Sequence, residues 1–580
     1  MKFGEEGLTS ANSPDPDLAI DNGYTFDDLT LQKAENDLAL VQIVSPERGG
    51  CGLAANSPIT IQIKNYSNNI LTNVPVSYQL NNGIIITETI PSIAADTILN
   101  YTFNHTGDFS AYVDYTLNAW VKYNADNYPV NDSILNYTFH NTPVINSYPY
   151  LQGFENDSGS FYTGGINSSW QWGTPNKVII YKAANGNKAW VTSLNYSYND
   201  DETSYLYSPC FDLSSLSHPM LSFSHIYQLE HTFDYAWVEY SVDGINWQRL
   251  GAIGSGTNWY DTTADNQSWN ISDTIWHVAS ISIPTTSSNV HFRFVLNSDQ
   301  GVTMAGIGID DIHIFDSASI YTGTPLTSLT QNVSGNTWIN FNDSSGKRVV
   351  SINPNGVNLG STNVQVYPKT GTTRAASNYY YLNRDIVIQP SIIPTDSVSI
   401  RFYFTDSEAN NIIHANSCSS CVTTHDAYEL GVAKYSGYSF DENGILDDDT
   451  TGLYAFIPKS NFNIIPFSNG YYADFKVKNF SEFWLSKALV KAAGSPSCEA
   501  DTISYTATGG STYQWQLNSG SGYTNLSNGT NYSGVSTNTL RIIGLPTSGR
   551  RLSLSLCNQW YSGKRNRASV WWCLERQCKY

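Results

Sequence analysis

Gly306-Ile307-Gly308-Ile309-Asp310-Asp311-Ile312-His313-Ile314-Phe315 is the stretch that decides the fold of the central part of this chain. Apolar residues alternate in it with small or polar ones, which predicts a β-strand with one face in a core. The alternation changes phase at the aspartate pair, since Ile307 and Ile309 lie on one phase and Ile312 and Ile314 on the other. One extra residue in a strand has this effect. The stretch therefore predicts a β-bulge that redirects the two carboxylates, which could then point at a cation.

Short alternating segments also precede this strand. One of them, residues 236–242, ends at Asp243-Gly244, a dipeptide typical of a hairpin turn. The chain as a whole holds 39 Tyr and 15 Trp but only 3 Met, and Asn, Ser, Thr and Gly separate its short apolar runs. This composition is typical of many strands joined by turns. A length of 580 residues corresponds to roughly three to five domains. We therefore predict an all-β fold built as a multidomain string of independent β-sandwiches.

The charge balance limits the possible partners. Lys and Arg number 30 against 50 Asp and Glu, which gives a formal net charge of -20. We therefore expect no nucleic-acid partner, because binding to phosphates needs a basic surface. No apolar run has the length of a membrane span, so we expect none in this chain. Residues 1–7 also lack the charged and then apolar pattern of a signal peptide.

Four motifs occur in the segment between residues 144 and 318. They are Gly153-Phe154-Glu155, Ser208-Pro209-Cys210-Phe211-Asp212-Leu213, Tyr240-Ser241-Val242-Asp243-Gly244-Ile245-Asn246-Trp247 and Ile309-Asp310-Asp311-Ile312. In this order they resemble the MAM-like or cleaved-adhesin jelly-roll domains of Bacteroidetes surface proteins, which include the adhesin regions of gingipains. The resemblance implies a two-sheet β-sandwich with structural calcium near the joined ends of its first and last strands.

Carried over to this sequence, the resemblance makes Glu155, Asp310 and Asp311 the candidate calcium ligands, with Asp234 as a weaker candidate. Calcium takes six to eight oxygen ligands, so carboxylates and backbone carbonyls suffice. The alternative is that these acids are solvated strand ends or turn formers.

The modules before the jelly roll point to a longer parent protein. Residues 17–26 echo the 306–312 strand, so we interpret residues 1–35 as the terminal strand of a preceding jelly-roll copy. On this interpretation the chain is a fragment of a secreted protein. Residues 36–143 carry short strands separated by Asn and Ser, and the segment 65–76 is similar to CARDB-type immunoglobulin-like modules. We expect this module to be a spacer.

The modules after the jelly roll are less specific. Residues 319–337 are polar and are predicted to be a linker. Residues 338–490 resemble an all-β region found near the C-termini of Bacteroidetes proteins exported by the type IX secretion system. Residues 494–549 resemble a bacterial immunoglobulin-like module with its core tryptophan at Trp515, although the expected last strand is missing.

Residues 550–580 reverse the charge of the rest of the chain. This tail carries seven basic residues and the single acid Glu575, and it holds Cys557, Cys573 and Cys578. We interpret the change as a shifted reading frame and expect a poorly ordered tail. A genuine polybasic tail is the alternative.

A second cysteine cluster lies at Cys418-Ser419-Ser420-Cys421. In an exported protein, two cysteines at this spacing favour a local disulfide between Cys418 and Cys421. A zinc site with His414 and His425 and a pair of free thiols remain open.

The sequence holds few signs of catalysis. It has no His-Glu-x-x-His, Gly-x-Ser-x-Gly or Gly-x-x-x-x-Gly-Lys motif. We therefore predict a non-catalytic adhesion or ligand-binding region of a secreted or cell-surface bacterial protein, with an extracellular protein or glycan as its ligand. The alternative is an accessory C-terminal region of a secreted hydrolase, most simply a peptidase, whose catalytic domain lies upstream. A third hypothesis is that the jelly roll itself acts on glycans.

Overall fold

The computed structural model describes residues 36–264, 267–376, 379–415, 424–436, 453–457, 461–487, 502–506, 513–518, 523–529, 532–543, 552–558 and 570–576. These residues divide between Asn141 and Thr142 into two compact units. Both units consist of antiparallel sheets, apart from one short parallel pair of strands in the second unit, which confirms the predicted multidomain all-β fold. None of the helices in the described ranges is long and apolar enough to cross a bilayer.

The first unit is a two-sheet sandwich. Its strands are β1 (Leu38–Ser45), β2 (Thr60–Asn65), β3 (Leu71–Leu80), β4 (Ile85–Ile93), β5 (Ile98–Thr102), β6 (Asp114–Val121) and β7 (Ser133–His140), with a 3-10 turn at Pro129–Asn131. The sheet orders are β1-β2-β5 and β4-β3-β6-β7. Every second residue of β2 and β6 is buried, because a strand with one face on a core alternates inward and outward side chains.

The second unit begins with the jelly roll. Its strands are β8 (Val144–Ile145), β9 (Tyr150–Gln152), β10 (Tyr162–Ile166), β11 (Trp170–Gly173), β12 (Ala189–Thr192), β13 (Thr203–Tyr207), β14 (Cys210–Phe211), β15 (Pro219–Gln228), β16 (Tyr235–Ser241), β17 (Gln248–Arg249), β18 (Asp273–Ser282), β19 (His291–Asn297) and β20 (Gly306–Asp316). One sheet has the order β10-β13-β19-β16-β17 and the other β11-β12-β20-β15-β18, with β9 also paired to β20. Aromatic and aliphatic side chains fill the space between the two sheets.

The predicted bulge in β20 is confirmed. Ser222 of β15 pairs with His313, and Ser224 pairs with Asp310, so Asp311 and Ile312 together oppose one residue of β15. Asp311 has a φ of 49°, a left-handed conformation that aspartate tolerates better than most residues. The bulge lets all four isoleucines of β20 enter the jelly-roll core and turns both aspartates to the opposite face.

A further sandwich follows the jelly roll directly. Its strands are β21 (Leu326–Val333), β22 (Ile339–Asn342), β23 (Arg348–Asn353), β24 (Gly360–Val366), β25 (Arg374–Ala376), β26 (Tyr379–Pro390), β27 (Val398–Thr405), β28 (Leu430–Ser436), β29 (Leu453–Ile457), β30 (Phe462–Phe467), β31 (Gly470–Val477) and β32 (Glu482–Lys487). It also has the helix α1 (Asp406–Ile413) and a 3-10 turn at Ala427–Glu429. We call it the third sandwich, since it follows the sandwich of the first unit and the jelly roll. The predicted linker 319–337 contains β21, which pairs with β24, so the third sandwich begins before residue 338.

The jelly roll and the third sandwich are not independent, which corrects the prediction of separate modules. Ile226, Trp276 and Val278 of the jelly roll belong to the same buried cluster as Tyr428 and Tyr471 of the third sandwich. These jelly-roll residues lie on the outer face of their sheet, where solvent exposure of so much apolar surface would be unfavourable. Packing against the third sandwich removes this surface from water.

The last strands form two further sheets. They are β33 (Thr502–Thr506), β34 (Gln514–Asn518), β35 (Tyr523–Asn525), β36 (Tyr532–Ser533), β37 (Thr539–Ile543), β38 (Leu552–Asn558) and β39 (Val570–Arg576). The orders are β33-β37-β36 and β35-β34-β38-β39. Two segments of the predicted anomalous tail thus pair with the sheet of Trp515, and the rest of that tail lies outside the described residues.

Candidate functional site

The aspartate pair of β20 is buried. Asp310 is 0% and Asp311 2% exposed, so the alternative of solvated strand ends is wrong for these two acids. Asp310 accepts hydrogen bonds from the backbone N–H groups of Ala184 (3.0 Å), Asn185 (3.2 Å) and Asp311 (2.8 Å). All three donors are neutral.

The neighbours of Asp311 connect the jelly roll with the third sandwich. Its Oδ2 accepts hydrogen bonds from Asn185 Nδ2 (2.7 Å) and Ser224 Oγ (3.0 Å). Asn185 Nδ2 also donates to the Ile464 carbonyl, and the Ser224 and Tyr428 hydroxyls are 2.5 Å apart. The bulge therefore directs the aspartate pair into the interface between the two sandwiches.

The electrostatics of this pair favour neutralisation of its charge. Burial raises the pKa of Asp310 well above its ordinary value, and the charge of Asp311 raises it further, while the backbone hydrogen bonds act in the opposite direction. Two adjacent buried carboxylates are costly when both are ionised. A proton or a cation would remove this cost.

Glu155 lies at the other end of the same turn. Its Oε1 accepts the backbone N–H groups of Asn187 (2.9 Å) and Lys188 (2.8 Å). Gly186, which precedes Asn187, has a φ of 62°, and a Cβ there would overlap the Glu155 carboxylate. The turn 184–188 therefore contacts both Glu155 and the aspartate pair, but the carboxylate oxygens of these three predicted calcium ligands do not all lie within 4.8 Å of one another.

The fourth predicted ligand belongs to a different group. The carboxylate oxygens of Glu230, Asp234 and Asp299 lie within 4.8 Å of one another, the one all-carboxylate group this close in the part of the chain that is described. Asp234 is 1% exposed and accepts hydrogen bonds from the Tyr198 hydroxyl and from the Asp299 N–H (3.0 Å). The oxygen donors of either group suit calcium. The structure thus divides the predicted ligand set between two places.

A buried histidine pair lies in the jelly-roll core. His277 Nε2 is 2.9 Å from His225 Nε2, and His277 Nδ1 is 3.1 Å from Asp273. Burial lowers the pKa of His225, and the charge of His277 lowers it further. His225 also stacks on Tyr227.

The outward face of the sheet β10-β13-β19-β16-β17 is aromatic, and sequence reasoning missed it. The pairings Tyr162–Tyr207, Tyr207–Arg293, Arg293–Glu239 and Glu239–Arg249 align these five residues in one row across all five strands. Tyr205 and Trp237 lie in the next row, and Trp247 adjoins from the turn between β16 and β17. We call these eight residues the aromatic face. The residues that alternate with them, such as Leu206 and Phe294, enter the core.

Arginines hold the rings of the aromatic face in place. The Arg293 guanidinium lies 4.1 Å from the Tyr205 ring centre and 4.3 Å from that of Trp247. The Arg249 guanidinium lies 3.9 Å from the Trp237 ring centre. Such cation–π contacts are worth about 0.5–1 kcal/mol each at exposed sites. The aromatic side chains are half-buried and therefore ordered, yet each keeps part of its surface in contact with solvent.

Glu239 completes the arrangement. Its Oε2 is 2.6 Å from Arg293 Nε and 2.5 Å from Arg293 Nη2, and its Oε1 accepts the Trp237 indole N–H at 2.8 Å. The alternation of polar or aromatic residues with core residues along β13, β16 and β19 was the available sequence signal. It became informative only when the registers placed these residues side by side.

The predicted disulfide of Cys418 and Cys421 lies outside the described residues. The nearby His414 hydrogen-bonds through its ring Nδ1 to the Asn410 carbonyl (2.8 Å). The backbone N–H of His425 donates to the Glu429 carboxylate (2.7 Å).

No protein-family model matches the chain, and no curated protein matches it. The chain is similar to a solved carbohydrate-binding module of the β-sandwich superfamily (TM-score 0.20, 14% identity, 49% of this chain and 98% of that chain). It is also similar to the K1 cleaved adhesin domain of Lys-gingipain from Porphyromonas gingivalis W83 (TM-score 0.20, 17% identity, 30% and 100%). The K2 domain of Lys-gingipain gives a TM-score of 0.19 with 14% identity over 29% and 97%.

Proposed function

We propose that this chain is a non-catalytic binding region and that the aromatic face of its jelly roll binds a glycan. The single observation that carries the proposal is the aromatic face itself, on which five ordered rings lie beside two arginines and a glutamate across five paired strands. Strands are about 4.8 Å apart, so the row extends over roughly 19 Å. A surface of this length can contact several sugar units in succession.

The chemistry of the aromatic face suits sugars. The C–H groups of a pyranose ring pack on aromatic surfaces, and its hydroxyl groups need hydrogen-bonding partners at the rim. Tyr162, Tyr205 and Tyr207 supply rings with hydroxyl groups, and Trp247 supplies a larger apolar surface. Because the arginine contacts fix these rings beforehand, little side-chain entropy is lost on binding.

A binding panel tests this proposal. The full chain would be titrated by calorimetry against soluble polysaccharides, with Trp247→Ala and Tyr205→Ala as variants. We expect binding to at least one polysaccharide and a loss of at least tenfold in affinity in both variants. Tyr196→Ala is the matched control, because Tyr196 is an exposed tyrosine of the same sandwich outside the aromatic face (79% exposed). Unchanged affinity in the first two variants would contradict the proposal.

We further propose that calcium stabilises the jelly roll through Glu155, Asp310 and Asp311. The observation in favour is the buried aspartate pair, whose charge a divalent cation would neutralise. These carboxylates and nearby backbone carbonyls would hold the ion, while Asp234 belongs to the separate group with Glu230 and Asp299.

Melting curves with calcium and with chelator test the cation proposal. A ligand at 100 times its Kd stabilises the native state by about 2.7 kcal/mol. We expect calcium to raise the melting temperature of the unchanged chain and Asp311→Asn to abolish the rise. Asparagine suits this position because it tolerates a positive φ and keeps an oxygen for Asn185 and Ser224. Loss of the rise in Asp299→Asn instead would assign the ion to the other carboxylate group.

The cellular setting is also part of the proposal. A glycan-binding array with a calcium-stabilised module suits a secreted or cell-surface bacterial protein, where millimolar calcium and polysaccharides meet. In such a protein the chain would act as an adhesion region. Detection of this protein on intact cells with an antibody to the jelly roll would test this assignment.

A further inference from the structure

The basic residues of the jelly roll are distributed unevenly. Residues 144–318 contain seventeen acidic residues and only five basic ones, namely Lys177, Lys182, Lys188, Arg249 and Arg293. Both arginines lie on the aromatic face, in the same row as its single acid, Glu239. The aromatic face therefore carries a net positive charge on a strongly acidic domain.

The three lysines have other partners. Lys177 donates to the carbonyls of Thr192 and Ala305, and Lys182 pairs with Asp426 and Glu429 of the third sandwich. Lys188 donates to the Glu155 carbonyl. The lysines thus hold loops and the domain interface, whereas both arginines lie on the aromatic face, where Arg249 Nη1 also donates to the Gln267 carbonyl.

The hydrogen bonds of Arg293 leave capacity for a ligand. Its Nε and Nη2 are bound to Glu239, whereas its Nη1 makes a long contact of 3.4 Å to the Tyr207 hydroxyl. A guanidinium presents five N–H donors in a plane, and this geometry matches a carboxylate better than an ammonium does.

We infer, on the basis of the proposed glycan binding, that the ligand of the aromatic face is an acidic polysaccharide, a polyuronate. Its sugar rings lie on the aromatic rings, and its carboxylates lie next to Arg249 and Arg293. The acidic remainder of the protein repels polyanions, so the positive face also determines which surface of the jelly roll the polymer approaches.

Polygalacturonate and its fully methyl-esterified form provide a matched pair of probes. The two polymers share one backbone and differ in the carboxylate charge alone. We expect the full chain to bind polygalacturonate at least tenfold more tightly than the ester, and we expect a rise in salt from about 50 to 300 mM to weaken the binding, because salt screens the exposed charges. Arg249→Gln should reduce the affinity for polygalacturonate at least fivefold, while Arg249→Lys keeps the charge and loses less.

Arg541→Gln is the control variant, since Arg541 is an exposed arginine of a different sheet. Equal affinity for the acid and the ester, with loss in Trp247→Ala, would overturn the anionic inference and leave glycan binding intact. Binding to dextran sulfate but not to polygalacturonate would overturn the assignment to carboxylates. Failure to bind any polysaccharide would overturn both proposals.

Discussion

Removal of the Tyr471 hydroxyl tests whether the jelly roll and the third sandwich unfold as one body. Tyr471 is fully buried in the third sandwich. Its hydroxyl donates to Asp406 Oδ1 (2.7 Å) and accepts the backbone N–H of Val278 (3.0 Å), which belongs to the jelly roll. Tyr471→Phe keeps the ring stack with Phe404 but leaves the carboxylate oxygen and the N–H without this partner.

The expected cost follows from these two groups. A buried polar group that loses its partner costs about 1–3 kcal/mol, so the loss of both partners should lower the free energy of unfolding by about 2–6 kcal/mol. Each 1.4 kcal/mol corresponds to a factor of ten. We therefore expect amide hydrogen exchange to accelerate at least about 30-fold in β27 and β31 of the third sandwich, and equally in β15 and β20 of the jelly roll.

Hydrogen-exchange mass spectrometry on the full chain measures both sets of strands in one experiment. Tyr196→Phe is the control, because it removes an exposed hydroxyl from the jelly roll and should leave both sets unchanged. Faster exchange in the third sandwich with unchanged exchange in the jelly roll would refute the shared cooperative unit. The two sandwiches would then be separate folding units in spite of their common buried cluster.

Three further predictions concern single residues. Burial acts to raise the pKa of Glu88, but hydrogen bonds from Tyr101 and from residues 104 and 105 outweigh this effect and lower the pKa to about 2. Glu88 therefore stabilises the fold above about pH 4.5, and this contribution is lost as the pH falls toward 2. Glu88→Gln should reduce the fall of the melting temperature between these two pH values. Burial, together with two neighbouring aspartates, raises the pKa of Asp132 to about 6, so the stability that it contributes is present below about pH 4 and lost as the pH rises through 6. Asp132→Asn should raise the melting temperature at pH 7.5 and leave it unchanged at pH 3.5, and an equal shift at both values would contradict this origin. Gly186→Ala should lower the free energy of unfolding, measured in urea, by at least about 1 kcal/mol, because the positive φ of residue 186 and the adjacent Glu155 carboxylate both disfavour a Cβ. An unchanged urea midpoint would contradict this prediction and show that the turn can relax.

Local pattern predicted more of the fold than of the binding surfaces. The phase change at Asp310-Asp311 predicted a bulge, and the pairing of β15 with β20 confirmed it. This prediction succeeded because a shift of strand parity is a property of consecutive residues. The surroundings of the aspartates were not predictable in the same way, because Ser224 meets Tyr428 across 204 residues and Asn185 meets Ile464 across 279.

The aromatic face illustrates the same limit. Tyr207, Arg293 and Glu239 occupy outward positions of three strands that are distant in sequence, and each position taken alone is typical of any half-exposed strand residue. Sheet order and register place them in one row. The sequence could therefore supply the candidate rings but not their alignment.

The amino-acid sequence by itself determined that the chain is all-β, that β20 carries a bulge, and that the jelly roll is acidic, since alternation and charge are local or additive properties. The tertiary structure alone decided that Asp310 and Asp311 lie in an interface, that Asp234 belongs to another group, and that two arginines share a face with aromatic rings. Strand pairing and sheet packing bring together residues that no local pattern relates. For that reason the binding surfaces of this protein became visible only in the folded chain.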